Sequence, residues 1–515
     1  MKAEIKLSTQ LGPIASPDKD VAKLATGASV SLVGKIAGRG FNIASQIVLA
    51  RFLGPTAFGL YALGLTVTKL IGLISPLGLD RGVLRYGSIY WRKDRTGLKA
   101  ALTQSLEISF LVGIAAGALM FLSASWLAHQ YRKPELTIVF RWFALSLPLL
   151  GGLKVAAAAT RVSQRMKYAV IAEEIFQNLT NLLLIVFFCV MGWGLTGPLL
   201  ANFISFLGAF LIALFFLKRL FPETFSSKIK SYSLRKDLIY YSLPTSLTNM
   251  FNMFLMWTDR LWVGYFRSEA DVGIYQAAAQ IATLFVIIVG AFGAILSPII
   301  ADLYSDKENQ RLNDLYKVST RWGLYLSMPI FLVIIFLPKD VMTAIFGAEY
   351  ASGSLALIIL AIGQLINLAT GNVGPVLMMT GHQNRWLITS MIVLGVNFVM
   401  NWTLVPLYGL TGAAFSTGVT IGVLFISGLL QARWILNLWP YDRTHLNWIL
   451  ATLPTAIILF MIRALNIDPS ILNFIVNMIV SVSVFSTTML IFGLGPQDKD
   501  FIRSVRDRFY KGFIK

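Results

Sequence analysis

The sequence is short of the residues that most protein chemistry needs. It has one cysteine, Cys189, among 515 residues, so neither an internal disulfide nor a thiolate metal cluster can form. The three histidines, His129, His382 and His445, are scattered near expected helix ends, which argues against a metal site. Charged residues make up 13% of the chain, against about 25% in an ordinary soluble domain. There is no P-loop and no nucleotide fingerprint, so ATP is not the direct fuel. The first residues are polar, contain Pro13 and Pro17, and lead into no apolar core with a cleavage site. Residues 1–28 therefore read as a cytoplasmic tail rather than a signal peptide.

What the chain has in quantity is apolar length. It is 56% hydrophobic, with mean hydropathy +0.69. Continuous runs of about 20 residues match the thickness of a bilayer core. A helix satisfies its own backbone there, whereas a membrane β-barrel would alternate over short segments. The reading is an all-α polytopic membrane protein of about fourteen spans: 29–51, 58–80, 101–125, 139–160, 169–191, 195–217, 238–264, 273–299, 319–338, 353–379, 386–406, 409–431, 447–464 and 471–493.

The formal charge of +19 would suggest nucleic acid in a soluble protein, but here its location decides. The even-numbered loops hold most of the basic residues, from Arg81, Arg85 and Lys99 to Lys218, Arg235 and Arg311. The odd loops hold few, among them Arg51, Lys133 and Lys339. This bias places both termini in the cytoplasm and requires an even number of spans.

An internal repeat organises the spans. FGLYA at Phe58 to Ala62 matches VGIYQA at Val272 to Ala277, pairing Gly59 with Gly273 and Tyr61 with Tyr275. GLTG recurs at Gly194 and Gly409. The offsets are 214 and 215 residues, six spans apart, and an even number preserves orientation. Two parallel six-helix lobes follow, at 29–217 and 238–431. A cytoplasmic linker at 218–237 joins them, and two extra helices within 447–493 precede a basic tail at 494–515.

Ionisable groups inside spans are costly and usually face a cavity or a partner. In the first span, Lys35, Arg39, Asn42 and Gln46 share one helical stripe. Lys69 lies mid-span and Lys154 beside Gly151 and Gly152. These four cations either line an electropositive cavity or, for Lys35 and Lys154 especially, snorkel to the surface. Glu107, Glu173 and Glu174 are their candidate partners and candidate ion-coupling groups. Adjacent acids such as Glu173 and Glu174 are not expected to share a face. Gln177 and Asn181 extend a second polar stripe; Asn249 and Asn252 mark a third, followed by Asp259 and Arg260 as a structural ion pair. Gln364, Asn367, Asn397 and Asn401 add amides to the second lobe. Cations suit an anionic ligand and amides suit sugar hydroxyls.

ARFLGPTAFGLYALG at Ala50 to Gly64 resembles the polysaccharide transporter branch of the multidrug/oligosaccharidyl-lipid/polysaccharide flippase superfamily. GLDRGVLRYGS at Gly78 to Ser88 is similar to that branch's loop after the second helix. YSLPTSLTNMFNMFLMWTDRLWVGYF at Tyr241 to Phe266 and YGLTGAAFSTG at Tyr408 to Gly418 are similar to the same branch. The resemblance covers roughly residues 28–490. It implies a non-enzymatic flippase for undecaprenyl-diphosphate-linked oligosaccharides in the bacterial inner membrane. It also implies alternating access, no bound cofactor and a proton or sodium gradient as drive. The expected partners are membrane lipid, the polyprenyl-linked glycan, and a polysaccharide polymerase with glycosyltransferases; nucleic acid is not one. The alternatives are a cation-coupled multidrug exporter of the same superfamily and a membrane glycosyltransferase or polymerase. The last would need a large extramembrane loop or a clear acid pair, and every loop is short.

Overall fold

Glycine and proline interrupt the apolar chain at a few places, and those breaks set the architecture. The computed structural model describes residues 17–91, 93–222, 232–442, 446–465 and 468–492, without the side chains of 17–30, 32, 244–249, 252 and 446. Among these residues every regular element is helical. In chain order they are α1 (Pro17–Ile71), α2 (Leu79–Tyr90), α3 (Arg95–Gln130), α4 (Leu136–Arg161), α5 (Met166–Val190), α6 (Thr196–Leu220), α7 (Arg235–Phe266) and α8 (Glu269–Ser305). Then come α9 (Asn309–Phe336), α10 (Pro338–Phe346), α11 (Ser354–Ala369), α12 (Val373–Met379), α13 (Gln383–Leu436), α14 (Leu446–Ala464) and α15 (Ile471–Phe492).

Among the described residues, eleven helices are long and apolar enough to cross a membrane. Two of them, α1 and α13, are pairs of helices joined across a non-helical glycine. Gly54 has φ 69° and is followed by Pro55, which starts the second arm of α1 without needing an N–H partner. Gly409 breaks α13 at φ 60°, and its repeat partner Gly194 has φ 54°. An L side chain is strained in this left-handed region, so the repeat has kept glycine at both sites.

Several expected spans are corrected. The helix of α1 begins at Pro17 and so extends into the tail expected at 1–28. The span expected at 58–80 stops at Ile71, because Pro76 and Gly78 (φ 71°) shape a turn before the separate amphipathic helix α2. The span expected at 353–379 is broken by Gly371 (φ 69°) into α11 and α12.

Packing separates two lobes. In the first, α4 packs on α3 and α6, while α5 packs on α6 and α1. In the second, α11 packs on α8, α9 and α13, and α7 leans on α13. The lobes meet along α1 and α8. Helices α14 and α15 pair with each other and dock on α9, where the Ser481 hydroxyl donates to the Pro329 carbonyl at 2.9 Å. Large apolar side chains point outward: Leu122 is 81% exposed, Trp434 79% and Ile491 75%. So much apolar surface needs lipid around it, and the protein is a multi-pass membrane protein.

Helix α7 belongs to both lobes. Near its start, Tyr241 packs edge-on against Tyr86 of α2 at 6.1 Å, and Arg85 lies over the Tyr241 ring at 4.2 Å. Near its end, Trp262 packs against Phe398 and Trp402 of α13 at 4.7 and 5.6 Å.

Candidate functional site

Two glycines bring helix faces together inside the first lobe. Gly34 and Gly38 of α1 lie against Val170 and the Glu174 carbonyl of α5, and a methyl group at either would collide there. The facing stretch of α5, Val170–Phe176, is π-helical, a form found often at functional sites. It presents Glu173 and Glu174 to a cavity of about 260 Å³ that Lys69, Lys154, Gln177 and Trp257 also line. The two acids thus share one cavity, contrary to expectation. The wider π-turn rotates each successive residue less, and a cavity of this size spans more than one row of side chains.

The acids are not equivalent. Glu173 accepts from Arg161 at 3.0 Å. Glu174 lies within electrostatic reach of Lys35, Arg39 and Arg161. Lys35 and Arg39 are exposed and do not line this cavity. Arg39 reaches across to α8, with Nη1 3.8 Å from where a Cβ on Gly290 would sit. Two lysines thus face two carboxylates in the cavity, and Arg161, Lys35 and Arg39 add positive charge around the acids from outside it.

Lys69 places its ammonium 3.9 Å from the ring centroid of Trp257. The Arg260 guanidinium lies 4.7 Å from the same ring. Cation–π contacts of this kind contribute about 0.5–2 kcal/mol each. Lys69 sits in the first lobe and Trp257 on α7, so the ring joins the cavity wall to the second lobe. Sequence reasoning missed Trp257, since one more aromatic in an apolar span carries no signal of its own.

Asp259 and Arg260 form the expected ion pair, at 2.7 Å, within a larger buried network. The Tyr275 hydroxyl donates to Asp259 at 2.5 Å and the Thr417 hydroxyl at 3.3 Å. Arg260 donates through Nε to Gln276 at 2.8 Å, and Gln276 donates across the lobes to Gln46 at 3.5 Å. This pair lines a second cavity, of about 570 Å³, with Gln364, Asn367, Asn372 and Thr417. The side-chain carbonyl oxygens of Asn367 and Asn372 are buried without a partner among the described residues.

Other expected site residues lie apart from these cavities. Glu107 is exposed and pairs with Arg235 at 3.3 Å, so it does not meet the cavity cations. Its apolar neighbours in the sequence hid a surface position. Asn42 is half-buried, and Asn181 is buried with its carbonyl oxygen unpaired among the described residues. Asn397, Asn401 and Thr420 bond to one another inside the second lobe. The side chains of Asn249 and Asn252 lie outside the described residues. No group of three His, Cys, Asp or Glu side chains among the described residues could hold a metal.

One end of the lobe interface is held shut by donors on carbonyls. Lys133 Nζ donates to the Gly264 and Arg267 carbonyls at 2.8 and 2.6 Å and lies 3.8 Å from Glu269. Arg51 donates to the Ile345 carbonyl at 2.8 Å and also to that of Ala344. The Tyr350 hydroxyl donates to the Ala50 carbonyl at 2.9 Å. The Lys133 and Arg51 acceptors lie at or just past the ends of α7 and α10, where helix carbonyls lack partners and attract cations.

Known proteins share this sequence pattern and this fold. The profile of a family described as "polysaccharide biosynthesis protein" matches residues 48–354. A probable low-salt glycan biosynthesis flippase of Haloferax volcanii, Agl15, is 23% identical over 56% of this chain and 59% of its own length. The chain thus spans less than two thirds of that relative. A putative O-antigen transporter of Shigella flexneri is 22% identical over 77% of this chain and 92% of its own. The fold matches that of the lipid II flippase MurJ in an inward closed conformation, with TM-score 0.68 and 15% identity, over 89% of this chain and 98% of that one.

Proposed function

The chain belongs to the polysaccharide biosynthesis protein family, and from that premise we propose that it is a flippase for a polyprenyl-diphosphate-linked oligosaccharide. The cargo moves from the cytoplasmic to the outer leaflet by alternating access between the lobes. The observation that carries this reading is the cavity between the first lobe and α7. There Lys69 and Lys154 offer charge to a diphosphate, and Trp257 offers a ring face to a sugar. Gln364, Asn367 and Asn372 of the second cavity suit the hydroxyls of a longer glycan. Translocation makes and breaks no covalent bond, so this reading needs no catalytic group.

Both termini face the cytoplasm in this proposal, and the end closed by Lys133 and Arg51 faces outward. The proposed count of fourteen crossings treats α1 and α13 as two each and adds α7 to the other nine. A proton or sodium gradient would drive the cycle, with Glu174 the acid free to respond, since Glu173 is held by Arg161. A polysaccharide polymerase and glycosyltransferases are the proposed partners. The multidrug-exporter alternative would put an acidic cavity at the centre, and Lys69 and Lys154, which offset the two glutamates there, argue against it.

The test is reconstitution. The purified chain, in vesicles holding a polyprenyl-diphosphate oligosaccharide on one leaflet, should make the sugar accessible to an enzyme on the other side. Movement no faster than in protein-free vesicles sinks the proposal. Loss of movement on collapsing the gradient supports coupling, whereas unchanged movement leaves a passive facilitator.

A further inference from the structure

The crevice where α10 meets the α14–α15 hairpin is separate from both cavities described above. It has a volume of about 560 Å³. One wall, the first turn of α10, carries Lys339 and Asp340. The other, the end of α14 and the chain leading into α15, carries Arg463 and Asp468. Each wall thus has one cation and one carboxylate. Neighbouring surface charges of opposite sign commonly pair, yet no ion pair within 4.0 Å involves any of these four among the described residues. The scaffold holds them apart. Asp340 follows Pro338 in a helical first turn. The Asp468 segment is pinned by Asn473, whose side chain donates to the Asp468 carbonyl at 2.7 Å.

We propose that this crevice binds the headgroup of a zwitterionic phospholipid with a primary ammonium. Lys339 and Arg463 would meet the phosphodiester, and Asp340 and Asp468 the ammonium. A neutral slot with separated charges favours a zwitterion over an anion, because an anion would meet two carboxylates along with the two cations. An ammonium donates three hydrogen bonds, which a quaternary ammonium cannot do. The surroundings suit the rest of a lipid. Leu472 is 70% exposed and Ile479 60% on α15, and Phe460 is 61% exposed on α14, so acyl chains would find an apolar wall beside the crevice. Burial pushes the Asp340 carboxyl above its ordinary range, and Arg463 across the crevice only partly opposes this.

The experiment is independent of transport. The full chain is purified and offered equal amounts of phosphatidylethanolamine, phosphatidylcholine and phosphatidylglycerol, and retained lipid is counted by native mass spectrometry. The ethanolamine lipid should be retained about tenfold over the other two, a difference of about 1.4 kcal/mol. Asp340→Asn with Asp468→Asn should erase that preference. Lys339→Gln with Arg463→Gln should lower retention of all three lipids, and Arg132→Gln, outside the crevice, should change nothing. Equal retention of the three lipids overturns the proposal, as does preference for the glycerol or choline lipid, or an ethanolamine preference that survives the acid substitutions. If the double acid variant misfolds, Asp468→Asn alone, at an exposed position, carries the same test.

Discussion

Gly59 and Gly273, equivalent positions of the two repeats, touch across the lobe interface. A methyl group on Gly59 would collide with the Glu269 carbonyl, and one on Gly273 with the Pro55 carbonyl. The contact is reciprocal, as a two-fold relation between repeats requires. Beside it the repeat-related Tyr61 and Tyr275 are both buried, at 1% and 0% exposure. The pseudo-symmetry axis thus passes where backbone meets backbone.

Gly273→Val should open this contact. Overpacking costs about 1–3 kcal/mol, roughly a 5- to 150-fold shift against the closed interface. In a Cys189→Ser background, a cysteine introduced at Phe58 should become reactive toward a membrane-impermeant thiol reagent. Unchanged reactivity in a folded variant would show that the glycine contact does not control closure.

Lys133 should make closure sensitive to alkaline pH. Burial holds its ammonium below the ordinary lysine range, and Glu269 and Asp271 only partly oppose this. The open form, with the ammonium in water, binds the proton more tightly. Closure therefore strengthens as pH rises from the lowered value toward the ordinary one of about 10.4. Lys133→Met should abolish that dependence, and it should weaken closure by removing two hydrogen bonds worth about 1.5–3 kcal/mol each. Reactivity of the same Phe58 cysteine between pH 7 and pH 10, roughly the span below the lysine range, reads both effects.

Lys69→Ala and Lys154→Ala, both on the cavity wall, should each impair glycan export while protein abundance in the membrane holds. Trp257→Phe keeps a ring under Lys69 and should retain most activity, whereas Trp257→Leu should behave like Lys69→Ala. Normal export in both cation variants would remove the cationic cavity from the mechanism.

Reporter fusions at residues 228 and 350 should report the cytoplasm and the outer side respectively. A swap of the two signals would invert the proposed orientation, and with it the side on which Lys133 and Arg51 close the interface.

Much of this architecture can be read from the residues themselves. Span length is imposed by lipid, and the repeat shows because Gly59 and Gly273 face each other with no room for any other side chain. Local breaks are harder to see: the turn before α2 sits inside an apolar run, so hydropathy reads straight through Pro76 and Gly78. The π-turn that lets Glu173 and Glu174 share a cavity lies against Gly34 and Gly38 of another helix, a contact that no single-helix pattern encodes. Contacts distant in sequence leave least trace. Lys133 and Gly264 lie 131 residues apart, and Lys133 looks like one stray basic residue in a short loop.

Helix α7 has one end fastened to α2 by Tyr241 and the other seated on α13 by Trp262. A rod clamped at both ends to different bodies cannot travel with either. When the lobes rock, α7 must flex or let go of one clamp. In the proposed cycle, the strength of these two clamps therefore sets how far the lobes can swing.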